Sequence, residues 1–244
     1  MKIALVGYGK MGKVVEKLTV EKGFPISLIL DKDNFSDINS LNNSNTDVVI
    51  EFTEPSSALN NVKLILSKGI NVVSGTTGWD IPVDVIKDIC AKSGAAFIQS
   101  SNFNLGTHIF FMLNRIMAEK SSALEYKLSI EETHHIHKKD KPSGTAVTLA
   151  KEIISGSKVY NNWQLSEKNE CEKNDVIPVI SYREGEVTGI HTSKWVSDSD
   201  IIEITHNARN RNGFATGALM AADFLSGKTG VFTMNDLLTE IIKL

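Results

Sequence analysis

Six residues, Gly7-Tyr8-Gly9-Lys10-Met11-Gly12, constrain the fold of this chain more than any others. They follow a short apolar run, Ile3–Val6, and open a stretch with helical spacing over residues 11–22. Glycines spaced G-x-G-x-x-G between a strand and a helix let the backbone turn sharply. They also let a helix N-terminus approach a pyrophosphate closely. The string alone is common, and its context gives it meaning: an acid, Asp31, closes the next apolar run at the distance where dinucleotide sites meet a ribose hydroxyl. A tight turn with no ligand is the other reading. Asp31 repels a 2′-phosphate, whereas the nearby Lys10 and Lys32 attract one. Each effect is worth about 1 kcal/mol when exposed. The expected cofactor is therefore NADH and/or NADPH, with a preference below about 1000-fold, roughly 4 kcal/mol.

Alternation continues beyond the glycines. Apolar runs at Ile26–Leu30, 47–52, Asn71–Ser74 and 95–99 are separated by helix-like stretches at 56–67 and 80–91. Nearly unbroken apolar strands alternating with helices predict a parallel sheet covered on both faces. Residues 31–47 are polar and rich in Asn and Ser, so they read as a loop or a degraded helix. After residue 102 the pattern changes. A helix at 105–120, a strand at 124–132 and a helix at 145–155 precede a polar stretch at 156–175 that reads as loop. Strands at Val176–Arg183, 186–196 and 200–206 then follow in series, with helices at 214–225 and 235–242. The expected class is α/β: an N-terminal Rossmann-like parallel-sheet domain plus a smaller α+β substrate domain with a mixed sheet.

Bulk properties exclude several roles. A formal net charge of −3 with interspersed lysines and acids advertises neither a nucleic acid nor a membrane surface. No apolar run reaches the ~20 residues of a bilayer span. The N-terminus lacks the features of a signal peptide, so a cytoplasmic location is expected. Cys90 and Cys171 are far apart and read as two reduced thiols.

Two further segments carry candidate chemistry. Gly75-Thr76-Thr77-Gly78 follows the fourth strand, where an open α/β sheet presents its ligand. The threonines can meet the nicotinamide end of a cofactor, or simply cap a strand-to-helix turn. Residues 131–146 hold three of the six histidines, His134, His135 and His137, beside Lys138 and ahead of Pro142-Ser143-Gly144-Thr145. If the strand runs this far, alternation puts His135 and His137 on one face and His134 on the other. Three readings stand: a metal site, for which no cysteine or clear carboxylate completes the set; a solvated strand end; or a proton donor beside an anion site. Free N–H groups at a helix start favour an anion there, with Ser143 or Thr145 as an ordinary N-cap in the alternative.

At this point the chain resembles the 4-hydroxy-tetrahydrodipicolinate reductase (dihydrodipicolinate reductase) family. The similar strings run in order along nearly the whole chain: Val6–Gly12, Gly75–Gly78, Ser101–Gly106, Glu132–Lys138 with Asp140–Ala146, Arg183–His191, and His206–Arg211 running into Phe214–Ala218. The resemblance implies hydride transfer to C4 of a cyclic imine dicarboxylate and protonation of the adjacent carbon. His134 falls at the proton-donor position and Lys138 at that of the catalytic, anion-binding lysine. Ser143, Gly144, Thr145 and His135 fall at substrate contacts. Gly7, Tyr8, Gly9, Lys10, Met11, Gly12, Asp31, Lys32, Phe52, Gly75, Thr76, Thr77, Ser100, Asn102, Phe103 and Arg211 fall at cofactor contacts. No metal is implied. Residues 1–102 with 211–244 would bind the dinucleotide. Residues 103–210 would bind substrate and build a homotetramer. An aspartate-type dehydrogenase on the same scaffold, or an NAD(H)-sensing regulator without turnover, are the competing readings. Lys10 stands where many members carry Arg, and Asp31 where many carry Glu, so charge is kept at both.

Overall fold

A computed structural model describes residues 1–169, 171 and 173–242. The chain divides into two compact units: Met1–Leu105 with the chain from Arg211 onward, and Gly106–Asn210.

In the first unit, β1 (Ile3–Val6), β2 (Ile26–Leu30), β3 (Val48–Glu51), β4 (Asn71–Ser74), β5 (Ala96–Gln99) and β11 (Gly230–Phe232) form one sheet in the order β11-β5-β4-β3-β1-β2. Every pairing is parallel. Alternate residues of each strand feed opposite cores. Ile3, Leu5, Val48, Ile50, Val73 and Ile98 pack on one face with Val15 of α1 (Lys10–Glu21), several alanines of α6 (Asn212–Phe224) and Leu237 of α7 (Met234–Ile242). Ala4, Val6, Val49, Val72 and Phe97 pack on the other with Val62 and Ile65 of α2 (Pro55–Ser67) and Ile86 and Cys90 of α3 (Val83–Ser93). Burial on both faces is why these strands read as continuous apolar runs. The polar stretch after β2 is a 3-10 helix, Lys32–Ser40, broken at Asn34 and pinned by a single buried residue, Ile38.

The second unit is a mixed sheet of β6 (Lys127–His134), β7 (Asn162–Leu165), β8 (Val176–Arg183), β9 (Ile190–Val196) and β10 (Ile201–Asn207), ordered β10-β9-β6-β8-β7. Pairings β9–β10 and β6–β9 are antiparallel, while β6–β8 and β7–β8 are parallel. One sheet face packs under α4 (Leu105–Ser121) and α5 (Gly144–Gly156). That face changes character along its length. Leu128 and Ile130 of β6, Ile177 and Val179 of β8 and Trp195 of β9 are apolar and buried. Further along the same faces stand Glu132 and His134, Ser181 and Arg183, and His191.

Several expectations change. Part of the stretch expected to be loop, 156–175, is β7, although Glu170 and Glu172 lie outside the described residues. The first strand of this unit starts and ends later than expected and stops at His134, so His135 and His137 leave it in a turn. The strand expected from 186 begins at Ile190, because residues 184–189 form the preceding turn. β11 was not expected at all. Among the described residues no helix is long and apolar enough to cross a membrane, and both cysteines are free.

Candidate active site

In the first unit, the C-terminal ends of β1, β3 and β4 hold most of the expected cofactor residues. Gly7 has φ +91°, and a Cβ there would lie 2.0 Å from the Phe52 carbonyl oxygen, so both its conformation and its space require glycine. Gly9 borders open space, and no side chain caps the first turn of α1, which leaves its N–H groups for an anion. Gly7, Tyr8, Gly9, Asp31, Lys32 and Phe52 line one hollow with Phe35 and Glu54. Met11, Phe52, Gly75, Ser100, Asn102, Phe103 and Arg211 line a second, so Phe52 borders both. Both hollows lie at the C-terminal ends of the parallel strands.

Lys10, Gly12, Thr76 and Thr77 line neither hollow, and Lys32 has an acidic partner of its own. Lys10 is exposed at the start of α1, and Gly12 is buried in its first turn. Lys32 is ion-paired to Glu54 at 3.1 Å, with both side chains exposed. Thr76 is turned inward: its hydroxyl donates to Glu51 Oε1 (2.7 Å) and accepts the Thr53 N–H (2.8 Å). These bonds tie Thr76 to the chain around β3 rather than to its own turn, while Thr77 is exposed. Glu51, fully buried, also accepts from Ser74 Oγ (2.5 Å) and the Thr53 N–H (3.0 Å), fastening the loops after β3 and β4 together.

In the second unit, the polar end of the sheet face is a network centred on Glu132, which is 1% exposed. Strand register builds it: Glu132 pairs with Ser181 across one edge of β6 and with His191 across the other, and His134 pairs with Arg183. Oε1 accepts from the Ser143 N–H (3.0 Å), Ser181 Oγ (2.7 Å) and Arg183 (3.3 Å). Oε2 faces His134 Nδ1 at 3.3 Å and His191 Nε2 at 3.6 Å, both rings being buried. Neither approach forms a hydrogen bond: Oε2 and His134 Nδ1 have no hydrogen-bond partner among the described residues. Burial pushes the Glu132 carboxyl up, but the His134 and His191 imidazoles with the donors of Ser143 and Ser181 outweigh it. The net effect holds the carboxyl far below the usual range. Burial pulls the His191 imidazole down, and the attraction of Glu132 only partly offsets this.

Glu132, His134 and His191 each present one atom within 4.8 Å of the others, close enough for a metal ion. The Arg183 guanidinium on the same carboxylate argues against that use, since it sets a permanent positive charge beside any cation. Lys138 Nζ is held at 2.9 Å by Asp140, and the Lys138 side chain is partly buried. Ser143 caps α5, accepting the Ala146 N–H (3.2 Å), and its Oγ lies 3.1 Å from His191 Nε2. Gly144 is exposed and Thr145 half-buried in the first turn of α5. His135 is half-buried, its ring 6.2 Å from that of His137. The structure thus brings His134 and Ser143 into one cluster, and adds Glu132, His191, Ser181 and Arg183 to it. His134 and Ser143 could be singled out from the sequence, whereas no role was expected for Glu132, His191, Ser181 or Arg183.

Comparison with known proteins gives the same assignment along the chain. The model described as "Dihydrodipicolinate reductase, N-terminus" matches residues 1–103, and "Dihydrodipicolinate reductase, C-terminus" matches residues 106–238. A 4-hydroxy-tetrahydrodipicolinate reductase of Christiangramia forsetii is 44% identical over 244 residues, all of both chains. One of Methanococcoides burtonii is 32% identical over 255 aligned positions, covering 94% of this chain and 95% of the relative. Among solved structures, a dipicolinate-bound dihydrodipicolinate reductase from Paenisporosarcina sp. TG-14 shares the fold, with a TM-score of 0.77 at 21% identity and coverage of 96% and 97%.

Proposed function

The chain belongs to the dihydrodipicolinate reductase family, and from that premise we propose that it reduces 4-hydroxy-tetrahydrodipicolinate, through its dehydrated cyclic imine, to tetrahydrodipicolinate in lysine and diaminopimelate synthesis. Membership makes it an NAD(P)H-dependent oxidoreductase. When bound, the reduced nicotinamide supplies the hydride. The residues of the chain do the rest. The uncapped first turn of α1 holds the pyrophosphate, with Gly7 and Gly9 allowing close approach. Asp31 accepts from the adenosine ribose. Phe52, Gly75, Ser100, Asn102, Phe103 and Arg211 surround the other end.

In the second unit the free N–H groups of Gly144 and Thr145 seat one substrate carboxylate. Lys138 exchanges Asp140 for a second anionic group, and His135 adds a contact. His134 delivers the proton to the ring carbon next to the one that receives hydride. Asp31, with Glu54 engaging Lys32, turns the balance toward NADH while leaving NADPH usable. The functional unit proposed is a cytoplasmic homotetramer.

The observation that supports this reading most is the placement of His134, buried against a carboxylate, beside the start of α5. It favours catalysis over an NAD(H) sensor, which has no need of a proton donor. The test is cofactor oxidation by purified protein with substrate generated by the preceding synthase. His134→Gln is expected to lower kcat by about 10²-fold or more with NADH affinity intact. Lys138→Ala is expected to impair kcat and substrate KM together. Wild-type kcat in His134→Gln would remove His134 from this role, and no turnover by the wild type would favour the sensor.

A further inference from the structure

Building on the reading of His134 as the proton donor, we infer that Glu132 is its positioning residue: the carboxylate fixes the imidazole with Nδ1 toward the buried acid and Nε2 toward the substrate. Three observations carry this. First, the ring nitrogens face different surroundings. Nδ1 lies 3.3 Å from Glu132 Oε2, while Nε2 lies beside Gly189, where a Cβ would come within 3.0 Å of it. A proton on Nδ1 is therefore the one the protein keeps, and a proton on Nε2 the one it can give away. Second, Glu132 cannot drift. Its Oε1 is held by Ser143, Ser181 and Arg183, drawn from α5 and the neighbouring β8, so Oε2 is aimed by the fold itself. Third, Oε2 has no formed hydrogen bond among the described residues, which leaves it free to tighten onto Nδ1–H when His134 becomes an imidazolium. Hydrogen bonds of this kind are often long before the substrate arrives.

Charge decides which of the two imidazoles on Oε2 carries the proton. His191 approaches the same oxygen at 3.6 Å, and its ring stands edge-on to that of His134, 5.0 Å away between centroids. Two imidazolium ions this close to each other and to Arg183 and Lys138 would repel, so the carboxylate supports one proton. Burial pulls the His191 imidazole below its ordinary value. The other acid nearby, Asp140, is engaged by Lys138. In the step itself, the imidazolium Nε2–H bond breaks and a C–H bond forms at the electron-rich ring carbon left by hydride addition. His134 remains as the neutral Nδ1–H tautomer facing Glu132 and regains its proton from water.

The test combines kcat–pH profiles under saturating conditions with 15N NMR of the His134 imidazole, on Glu132→Gln, Glu132→Asp and His134→Gln. Loss of the carboxylate charge destabilises the imidazolium, so the limb where activity falls with rising pH should move to lower pH. For Glu132→Gln the expected shift is about one pH unit, since an opposite charge at this distance moves a pKa by roughly 1–3 units. Its kcat at neutral pH should fall at least about tenfold, with cofactor KM within about twofold. NMR should show the neutral ring as the Nδ1–H tautomer in the wild type and a mixture of tautomers in Glu132→Gln. Glu132→Asp keeps the charge but withdraws it by one methylene. It should lower kcat while the limb stays near that of the wild type, and it decides the matter if Glu132→Gln does not fold. A wild-type limb and tautomer in Glu132→Gln, or wild-type kcat in Glu132→Asp, would overturn the inference. Wild-type kcat in His134→Gln would instead remove the premise.

Discussion

Gly189 sets how closely the turn before β9 can approach the His134 ring. Its backbone does not occupy the left-handed region, so alanine fits its conformation. The added methyl would lie 3.0 Å from Nε2 and 3.4 Å from Cδ2, and the imidazole would have to give way by a few tenths of an ångström. Gly189→Ala is therefore expected to fold normally and to lower kcat about tenfold, because small misplacements of a reacting group are costly; an unchanged kcat would show that the ring has slack. Asp31 offers a second test. Asp31→Ala should weaken NADH more than NADPH, and equal losses by titration would place its carboxylate away from the ribose. At this scale the sequence showed the participants but not their grouping. His134, Lys138 and Ser143 share one short segment and could be singled out together. Glu132 lies in that segment too, yet its partners Ser181, Arg183 and His191 are about 50 to 60 residues away and reach it only through strand register.

Among the elements, α5 shows how capping and chemistry share a helix start. Ser143 Oγ caps the helix and touches His191, while the Ser143 N–H holds Glu132. Ser143→Ala keeps the N–H and loses both hydroxyl contacts. A loss of about 1–2 kcal/mol, read as a lower urea midpoint at constant slope, is expected. A midpoint unchanged within error would mean that the cap contributes nothing. Long amphipathic or fully buried elements were legible because their periodicity is imposed by the cores they fill. β7 and β11 were not. Asn162-Trp-Gln-Leu165 is a four-residue edge strand with mostly exposed side chains, and Gly230-Val-Phe232 is only three residues long. Neither is long enough to show a period. Residues 32–40 were legible as loop or degraded helix, and a short 3-10 segment with one buried side chain is that kind of compromise.

For the molecule as a whole, the buried titratable groups of the second unit give stability a definite pH slope. Burial lowers the His191 and His206 imidazoles from their ordinary value of 6.5, so below that pH the unfolded chain binds protons that the folded chain resists. Glu132 is held far below its ordinary 4.5, so its contribution is present above that value and is lost as pH falls toward the folded pKa. Both signs agree: the unfolded state takes up more protons, and stability falls on acidification. Thermal unfolding should show Tm declining from pH 7 toward pH 5 and more steeply below about 4.5. A Tm that is flat or rising between pH 7 and 4 would contradict the buried network. One feature of the fold also bears on how the chain is made. A ribosome releases the strands β1 to β5 before the interior unit, but α6, β11 and α7, which complete their sheet and one of its cores, follow it. Gly106–Asn210 emerges entire before that. The interior unit can thus reach its final form during translation, while the parallel-sheet unit must wait, half-covered, for the elements made after it.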